Sequence, residues 1–265
     1  MHGALLAWWL ALCAAALVNV LAWGWSARRL ARGAAQMPAE ALAFRRTLLW
    51  LSAGYAAGCA FRSIFPMIDA PRICLHDTWI SRIVVGRSVA TVAELCFAFQ
   101  WALLLRRAGV GDRTATFAAG AIVPIIAVAE IFSWSAVLTS NYLLHAMENS
   151  LWALAAALAL AAFLSLRTRA EGNAARFFEA ASVSAAVYLA FMVVVDVPMY
   201  LSRWRAAGGA GVSLEQGLRT LVERCVVEHD WDQWRGDVLW LTLYFTVAVW
   251  ISIALAHAPQ SRPSK

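Results

Sequence analysis

The chain has 265 residues, of which 62% are hydrophobic and only 14% are charged. Soluble domains typically contain about 45–50% apolar and about 25% charged residues, so this composition excludes both an ordinary soluble domain and a disordered chain. The apolar stretches are continuous rather than alternating, which excludes an outer-membrane β-barrel. The composition therefore predicts an all-α, polytopic integral membrane protein.

Positive charge in this chain is carried by arginine. The formal net charge is +6, and all but one of the 22 basic residues are arginines. These arginines stand at the ends of apolar stretches, where positive residues orient helices across a bilayer. No pattern typical of a nucleic-acid-binding module is present. The predicted partners are therefore membrane lipids and a hydrophobic small-molecule substrate or ligand, and no nucleic acid.

Seven stretches approach the length of about 20 mostly apolar residues that a membrane-spanning helix needs. In chain order they are Leu5–Trp25, Thr47–Phe65, Ser88–Leu105, Thr116–Leu138, Tyr142–Leu166, Ala180–Leu201 and Val238–His257. The second is the weakest, because it is short and contains Arg62. The sequence predicts one domain, residues 1–265, built as a bundle of seven membrane-spanning helices.

The first span is predicted to be retained in the mature protein, because its apolar core is long and no basic residue precedes it. The segments after the first, third and fifth spans, and the C-terminus, are rich in positive charge, which favours the cytoplasmic side. These residues are Arg28, Arg29, Arg32, Arg45, Arg46, Arg106, Arg107, Arg113, Arg167, Arg169, Arg176, Arg262 and Lys265. We expect an N-out, C-in multi-pass protein of a cell membrane, the inner membrane of a bacterium.

Two features are predicted in the segments outside the membrane. Apolar residues recur at helical spacing over Leu214–Val227, which predicts a short amphipathic helix. Cys74 and Cys225 both lie outside in the predicted topology, where an oxidising environment allows a disulfide between them. Two free thiols are the alternative, and the sequence leaves both open.

Four acidic side chains lie inside four different predicted spans: Glu94, Glu130, Glu148 and Asp196. An ionisable residue near the bilayer centre costs at least about 2.5–3.5 kcal/mol, so each requires a partner or a function. From the rise per residue of a helix, all four lie about 7–12 Å below the outer boundary. This common depth favours one shared pocket in the outer half of the bundle.

Helical spacing brings some polar residues onto common faces. Arg87 and Glu94 are seven residues apart and share a face, so a buried ion pair between them is the structural alternative to a functional site. His145 and Glu148 are three residues apart and share another face. Pro198 in the sixth span frees a backbone carbonyl and allows a kink beside the predicted pocket.

The residue types in the predicted pocket fit two kinds of chemistry. Imidazole and carboxylate groups bind Fe, Mn or Zn, and the predicted metal ligands are His145, Glu148, Glu94 and Glu130. Without a metal, a protonated carboxyl group can act as a general acid beside an ionised base. The predicted catalytic residues are Glu94, Glu130, Glu148, Asp196 and Arg87, with the arginine positioning the carboxylates or neutralising their charge.

The leading hypothesis is a membrane-embedded enzyme that acts on a lipid-like or isoprenoid substrate entering from the bilayer. Its chemistry would be metal-assisted or carboxylate acid–base. The alternative is a transporter or a seven-helix sensor that binds a small ligand in the same pocket. Between this pocket and the inner surface the sequence offers Asn19 and Gln100 but no ionisable residue, which weakens the transport hypothesis.

Overall fold

The computed structural model describes residues 3–209, 211–220 and 225–259. Helices make up 81% of the described residues, so the fold is all-helical in class. Within these described ranges, six helical segments are long and apolar enough to cross a membrane, which fits a multi-pass membrane protein. They are Gly3–Arg32, Ile83–Ala108, Arg113–Thr139, Tyr142–Arg167, Gly172–Ala206 and Val238–Leu255.

The described residues form α-helices, two 3₁₀-helical turns at Ala34–Gln36 and Trp79–Ser81, a π-helical turn and one small sheet. The helices are α1 Gly3–Arg32, α2 Ala39–Ile64, α3 Ile83–Ala108, α4 Arg113–Thr139, α5 Tyr142–Arg167, α6 Gly172–Phe191, α7 Val197–Ala206, α8 Leu214–Thr220, α9 Trp231–Trp234, α10 Val238–Phe245 and α11 Val247–Leu255. The strands are β1 Met67–Ile68, β2 Ile73–Cys74 and β3 Val226–Val227. The sheet has the order β1-β2-β3.

The observed helices are longer than most of the predicted spans. α1 continues to Arg32, although its apolar stretch ends at Trp25. α3 begins at Ile83, ahead of the predicted start at Ser88. An apolar stretch ends at the first charged residues, whereas the hydrogen-bonded backbone of the helix continues past them. The apolar stretches therefore locate the helices but underestimate their length.

The second predicted span is a helix but is not one of the six apolar segments. α2 has 26 residues, which makes it about 39 Å long. Its last turn contains Arg62, which is buried. Length alone would let α2 cross a bilayer, whereas its polar content lowers its hydropathy.

Two glycines let α2 and α3 approach each other closely. A Cβ atom added at Gly58 would lie 2.6 Å from the Cβ of Ala93, and one at Gly54 would lie 2.7 Å from the Sγ of Cys96. Glycines four residues apart on one face are the spacing at which membrane helices pack backbone to backbone. This glycine spacing is a sequence signal that hydropathy does not register.

The sixth span contains a wider turn. Residues Met192–Asp196 form a π-helical turn between α6 and α7. Pro198 has no N–H to donate to the carbonyl of Val194, and its ring would clash with that carbonyl in a regular α-helix. The π-helical turn relieves this conflict, so the irregularity predicted at Pro198 takes this form.

The last span is also interrupted. α10 ends at Phe245 and α11 begins at Val247, and Thr246 between them has φ −120° and ψ −76°. Asn19 of α1 is buried and donates a 2.8 Å hydrogen bond from Nδ2 to the carbonyl of Phe245, next to this break. The interaction gives Asn19 a structural role.

Residues 65–82 and 225–237 form a compact segment that we call the cap. In it, β1 pairs antiparallel with β2, and β2 pairs parallel with β3. Cys74 and Cys225 are joined by a disulfide across 151 residues of sequence. Of the two alternatives that the sequence left open, the structure has the bridge.

The amphipathic helix predicted over Leu214–Val227 is wrong in its C-terminal part. α8 ends at Thr220, residues 221–224 lie outside the described residues, and Val226–Val227 is strand β3. The disulfide at Cys225 and the pairing with β2 hold this part of the chain extended, because both are long-range interactions that override a local helical pattern. The predicted basic residues Arg262 and Lys265 also lie outside the described residues.

The chain divides into two compact units. The first contains the described residues up to Phe97 and those from Leu218 to His257, and the second contains those from Ala98 to Gly217 together with residues 258–259. The division falls within α3. The prediction of one domain stays a prediction.

Candidate functional site

All of the predicted catalytic and metal-ligating residues are buried, with at most 8% of each exposed. They are Arg87, Glu94, Glu130, His145, Glu148 and Asp196. Arg87 and Glu94 belong to the first unit, and the other four belong to the second. That all six share one pocket at one depth stays a prediction.

In the first unit, Glu94 is held by a cation and a phenol. Arg87 donates from Nη2 to Glu94 Oε2 at 2.7 Å, across two turns of α3. Tyr244 of α10 donates from Oη to Glu94 Oε1 at 2.9 Å. The shared face predicted for Arg87 and Glu94 is confirmed, and the contact has the form of the buried ion pair that was the structural alternative.

Asp69 belongs to the same group and was missed from the sequence. Its carboxylate lies 3.8 Å from Arg87 Nη1 and 3.9 Å from Arg62 Nη2. Arg62 also donates to the carbonyls of Met67 and Gly86. We call Arg62, Asp69, Arg87, Glu94 and Tyr244 the arginine cluster. With both acids ionised, two positive and two negative charges balance within it.

Asp69 gave no local signal because it lies in the short connection between β1 and β2, outside any apolar stretch. The strand pairing of the cap places that connection against α2 and α3, where both arginines are found. Only the three-dimensional arrangement brings this carboxylate to the membrane-spanning helices.

The arginine cluster lines a small cavity of about 40 Å³. Its wall is completed by Gly58, Cys59, Ala90, Ala93, Trp240 and Phe245. Sites for small organic ligands usually measure about 300–1,000 Å³. A lipid-like molecule therefore does not fit this cavity, whatever role Glu94 has.

In the second unit, His145 and Glu148 form a hydrogen-bonded pair. His145 Nδ1 lies 2.9 Å from Glu148 Oε2, and the two residues are three positions apart on α5. An ionised carboxylate can only accept a hydrogen bond, so in the tautomer that makes this contact with His145 neutral, Nδ1 donates to Glu148 and Nε2 carries the lone pair. The predicted common face of these residues is confirmed, and its geometry is that of a base oriented by an acid.

An aromatic ring packs against the imidazole of His145. The Tyr200 ring centroid lies 5.1 Å from the imidazole, and the Tyr142 ring lies 6.5 Å from that of Tyr200. Arg203 stacks over Tyr200, with its guanidinium carbon 5.8 Å from the ring centre. Tyr200 and Arg203 lie on α7, directly after the π-helical turn, so the irregular sixth span forms one side of this site.

Glu130 and Asp196 lie on two of the elements that pack against α5. Glu130 is on α4, Asp196 ends the π-helical turn, and both elements contact α5. The second unit therefore buries three of the four predicted intramembrane carboxyl groups on α5 and its neighbours.

The predicted metal site gains no support from this arrangement. Within residues 3–209, 211–220 and 225–259, no group of three or more His, Cys, Asp or Glu side chains is placed to hold a metal ion. Binding of Fe, Mn or Zn stays a prediction.

Comparison with known proteins gives no match: no family model, no curated protein and no solved structure matches this chain. Its function is therefore inferred from the side chains described above.

Proposed function

We propose that this protein is a membrane-embedded enzyme that acts on a lipid-like or isoprenoid substrate by acid–base chemistry. The observation that carries the proposal is the buried hydrogen bond between His145 and Glu148, inside a helix long and apolar enough to span a membrane. Ionisable groups in such helices are costly and mark functional sites by default.

In this mechanism His145 is the general base. Its Nε2 lone pair removes a proton from the substrate, and Glu148 holds the ring in the required tautomer and stabilises the imidazolium that forms. Glu130 or Asp196, buried beside α5, returns a proton as the general acid. The predicted roles of Glu94 and Arg87 are secondary here, because their charges already compensate each other.

The exposed surface beside this site is apolar. Val193, Val194 and Val195 are 56%, 71% and 47% exposed, and they immediately precede the buried Asp196. In a membrane such a surface contacts lipid. This supports a substrate that reaches the site from the bilayer.

For the topology we propose seven membrane spans, which are the six apolar segments and α2, with the N-terminus outside. Trp9 and Trp23 of α1 donate to the carbonyls of Ile64 and Leu49 of α2 at 3.1 and 3.0 Å. The two helices thus lie side by side over about 21 Å, from the rise between the two tryptophans. Together with the glycine packing onto α3, this contact supports α2 crossing the membrane beside α1.

The location follows from the same topology. The arginine-rich connections would lie in the cytoplasm, and the cap would lie outside, where its disulfide is stable in an oxidising compartment. We place the protein in a cell membrane, and in a bacterium this would be the inner membrane.

The test compares membrane lipid extracts by mass spectrometry, with the wild-type protein, Glu148→Gln or His145→Gln expressed. A general base contributes about 10²–10⁴-fold to rate, so each substitution should remove nearly all of the wild-type-dependent change in lipid composition. Glu179→Gln is the matched control, because the Glu179 side chain is 64% exposed. A change in lipids that persists in both variants contradicts the assignment.

A transporter or seven-helix sensor is the second candidate, favoured by the size of the cavity in the first unit. A cavity of about 40 Å³ suits water or a small ion rather than a lipid. Transport predicts that a cysteine at Gln100, which is fully buried, reacts with polar thiol reagents from both sides of the membrane. Reaction from neither side, with a wild-type-dependent lipid change, supports the enzyme.

A further inference from the structure

The arginine cluster contains buried polar atoms whose hydrogen bonds are incomplete among the described residues. Asp69 Oδ1 and Arg62 Nε are both buried, and neither has a hydrogen-bond partner there. The contacts of Asp69 with the two arginines, at 3.8 and 3.9 Å, exceed the length of a direct hydrogen bond. A polar contact at this distance is typically completed by a bridging water.

The adjoining cavity has the size that such waters need. One buried water needs about 10–15 Å³ of cavity volume, so a cavity of about 40 Å³ has room for about three water molecules. Asp69, Glu94 and the two arginines all line it, which supplies both donors and acceptors. A polar cavity of this size is filled, whereas empty cavities in proteins are apolar.

We propose that the cavity is a hydrated site, in which two or three ordered water molecules join Asp69 to Arg62 and Arg87 and extend the hydrogen-bonded network to Glu94. The ligand is water rather than an inorganic anion, because two carboxylates face the cavity and, when ionised, offset the charges of the two arginines. An organic molecule is excluded by volume.

This hydrated site attaches the cap to the helices. Asp69 is part of the cap, while Arg62 and Arg87 belong to α2 and α3. Water therefore completes the polar contact between them and gives Glu94, deep in α3, a hydrogen-bonded connection to the cap. The site shares no residue with the His145–Glu148 pair, so it can fail or succeed independently of the proposed enzyme.

X-ray footprinting of the full-length protein in lipid nanodiscs tests the site. Radiolysis of bound water produces hydroxyl radicals that oxidise adjacent side chains, including those that bulk solvent does not reach. Phe245 lines the cavity and is 1% exposed, whereas Phe163 lies in the second unit and is 0% exposed. The two rings have the same intrinsic reactivity, so we expect several-fold faster oxidation of Phe245. Equal rates would overturn the proposal.

Three substitutions sharpen this result. Ala90 lines the cavity, and Ala90→Leu should fill it and lower the oxidation of Phe245 to the rate of Phe163. Asp69→Asn keeps a hydrogen-bonding side chain and should retain the fast oxidation of Phe245, whereas Asp69→Leu should slow that oxidation. Unchanged oxidation in a folded Ala90→Leu protein contradicts the site. If that variant does not fold, the wild-type comparison of the two phenylalanines still decides.

Discussion

The two units bury carboxylates in opposite ways. Glu94 in the first unit contacts a guanidinium at 2.7 Å and a phenol at 2.9 Å, so its charge is compensated. Glu148 in the second unit contacts an imidazole, which can be neutral. A compensated carboxylate holds helices together, whereas one paired with a titratable base is set up for proton transfer. Burial alone therefore does not distinguish a structural carboxylate from a reactive one. The residue that pairs with the carboxylate distinguishes them.

The largest expected effect on stability comes from replacing the residue that pairs with the buried carboxylate in each unit. Arg87→Met leaves Glu94 with an uncompensated buried charge, which should cost about 3–5 kcal/mol of unfolding free energy. His145→Phe removes one hydrogen bond to a charged group, which should cost about 1.5–3 kcal/mol. Denaturant unfolding in mixed micelles measures both.

A double variant separates charge from packing in the first unit. Arg87→Met with Glu94→Leu removes both charges and should recover most of the stability lost in Arg87→Met. Equal losses for Arg87→Met and His145→Phe, or no recovery in the double variant, would remove the distinction between the two carboxylates.

The disulfide of the cap should give an effect between those of Arg87→Met and His145→Phe. Replacing Cys74 and Cys225 with serine opens a loop of 151 residues and should cost about 2–4 kcal/mol. Cys13→Ser is the control, because Cys13 is a partly buried free thiol. Reductant should lower the melting temperature of the wild-type protein and leave the double serine variant unchanged. A wild-type protein insensitive to reductant contradicts this expectation.

Gly58→Ala tests the close contact between α2 and α3. The new Cβ would lie 2.6 Å from Ala93 Cβ and should cost about 1–3 kcal/mol through overpacking. At Gly120 in α4 a Cβ would meet nothing within 4 Å, so Gly120→Ala should be neutral or slightly stabilising. Similar melting temperatures for the two variants would show that the glycine contact is not tight.

The smallest effect concerns Asp112, at the start of α4. Hydrogen bonds from Ser165 Oγ at 2.6 Å and the Ala115 N–H at 2.9 Å hold the pKa of this carboxyl below its usual value, against the opposing effect of burial. The ionised form therefore stabilises the fold above the unfolded-state pKa, about 3.9, and this stabilisation is lost as the pH falls through the lower folded-state value.

Asp112→Ala should cost about 1 kcal/mol at neutral pH and flatten the acid side of the stability profile. Glu171 precedes α6 without capping it through its side chain, so Glu171→Ala should keep the wild-type profile. Melting temperatures between pH 7 and pH 3 provide the measurement. A profile for Asp112→Ala that follows the wild type would show that other groups dominate.

The six apolar helical segments and their order were predictable because each one is a single apolar run of sequence. The His145–Glu148 contact and the Arg87–Glu94 contact were predictable for a similar reason, since both pairs lie on one helix, and local spacing decides which residues face each other. The glycine packing of Gly54 and Gly58 was also present as a local signal, but hydropathy does not register it.

The cap was not predictable in the same way. Its strands are two residues long, and β2 pairs with a strand that follows about 150 residues later. No local pattern specifies such a pairing, so Leu214–Val227 was predicted as a helix throughout. Asp69 was missed for the same reason, because its two arginine partners are specified only by the folded cap.

The bridge between Cys74 and Cys225 also makes the protein a covalent ring with two tails. The ring contains most of the chain, including every described residue of α3 through α8. A single protease cut anywhere within the ring leaves the two pieces linked, and they separate on a denaturing gel only after reduction. A nick in that long stretch would thus release no fragment until the disulfide is reduced.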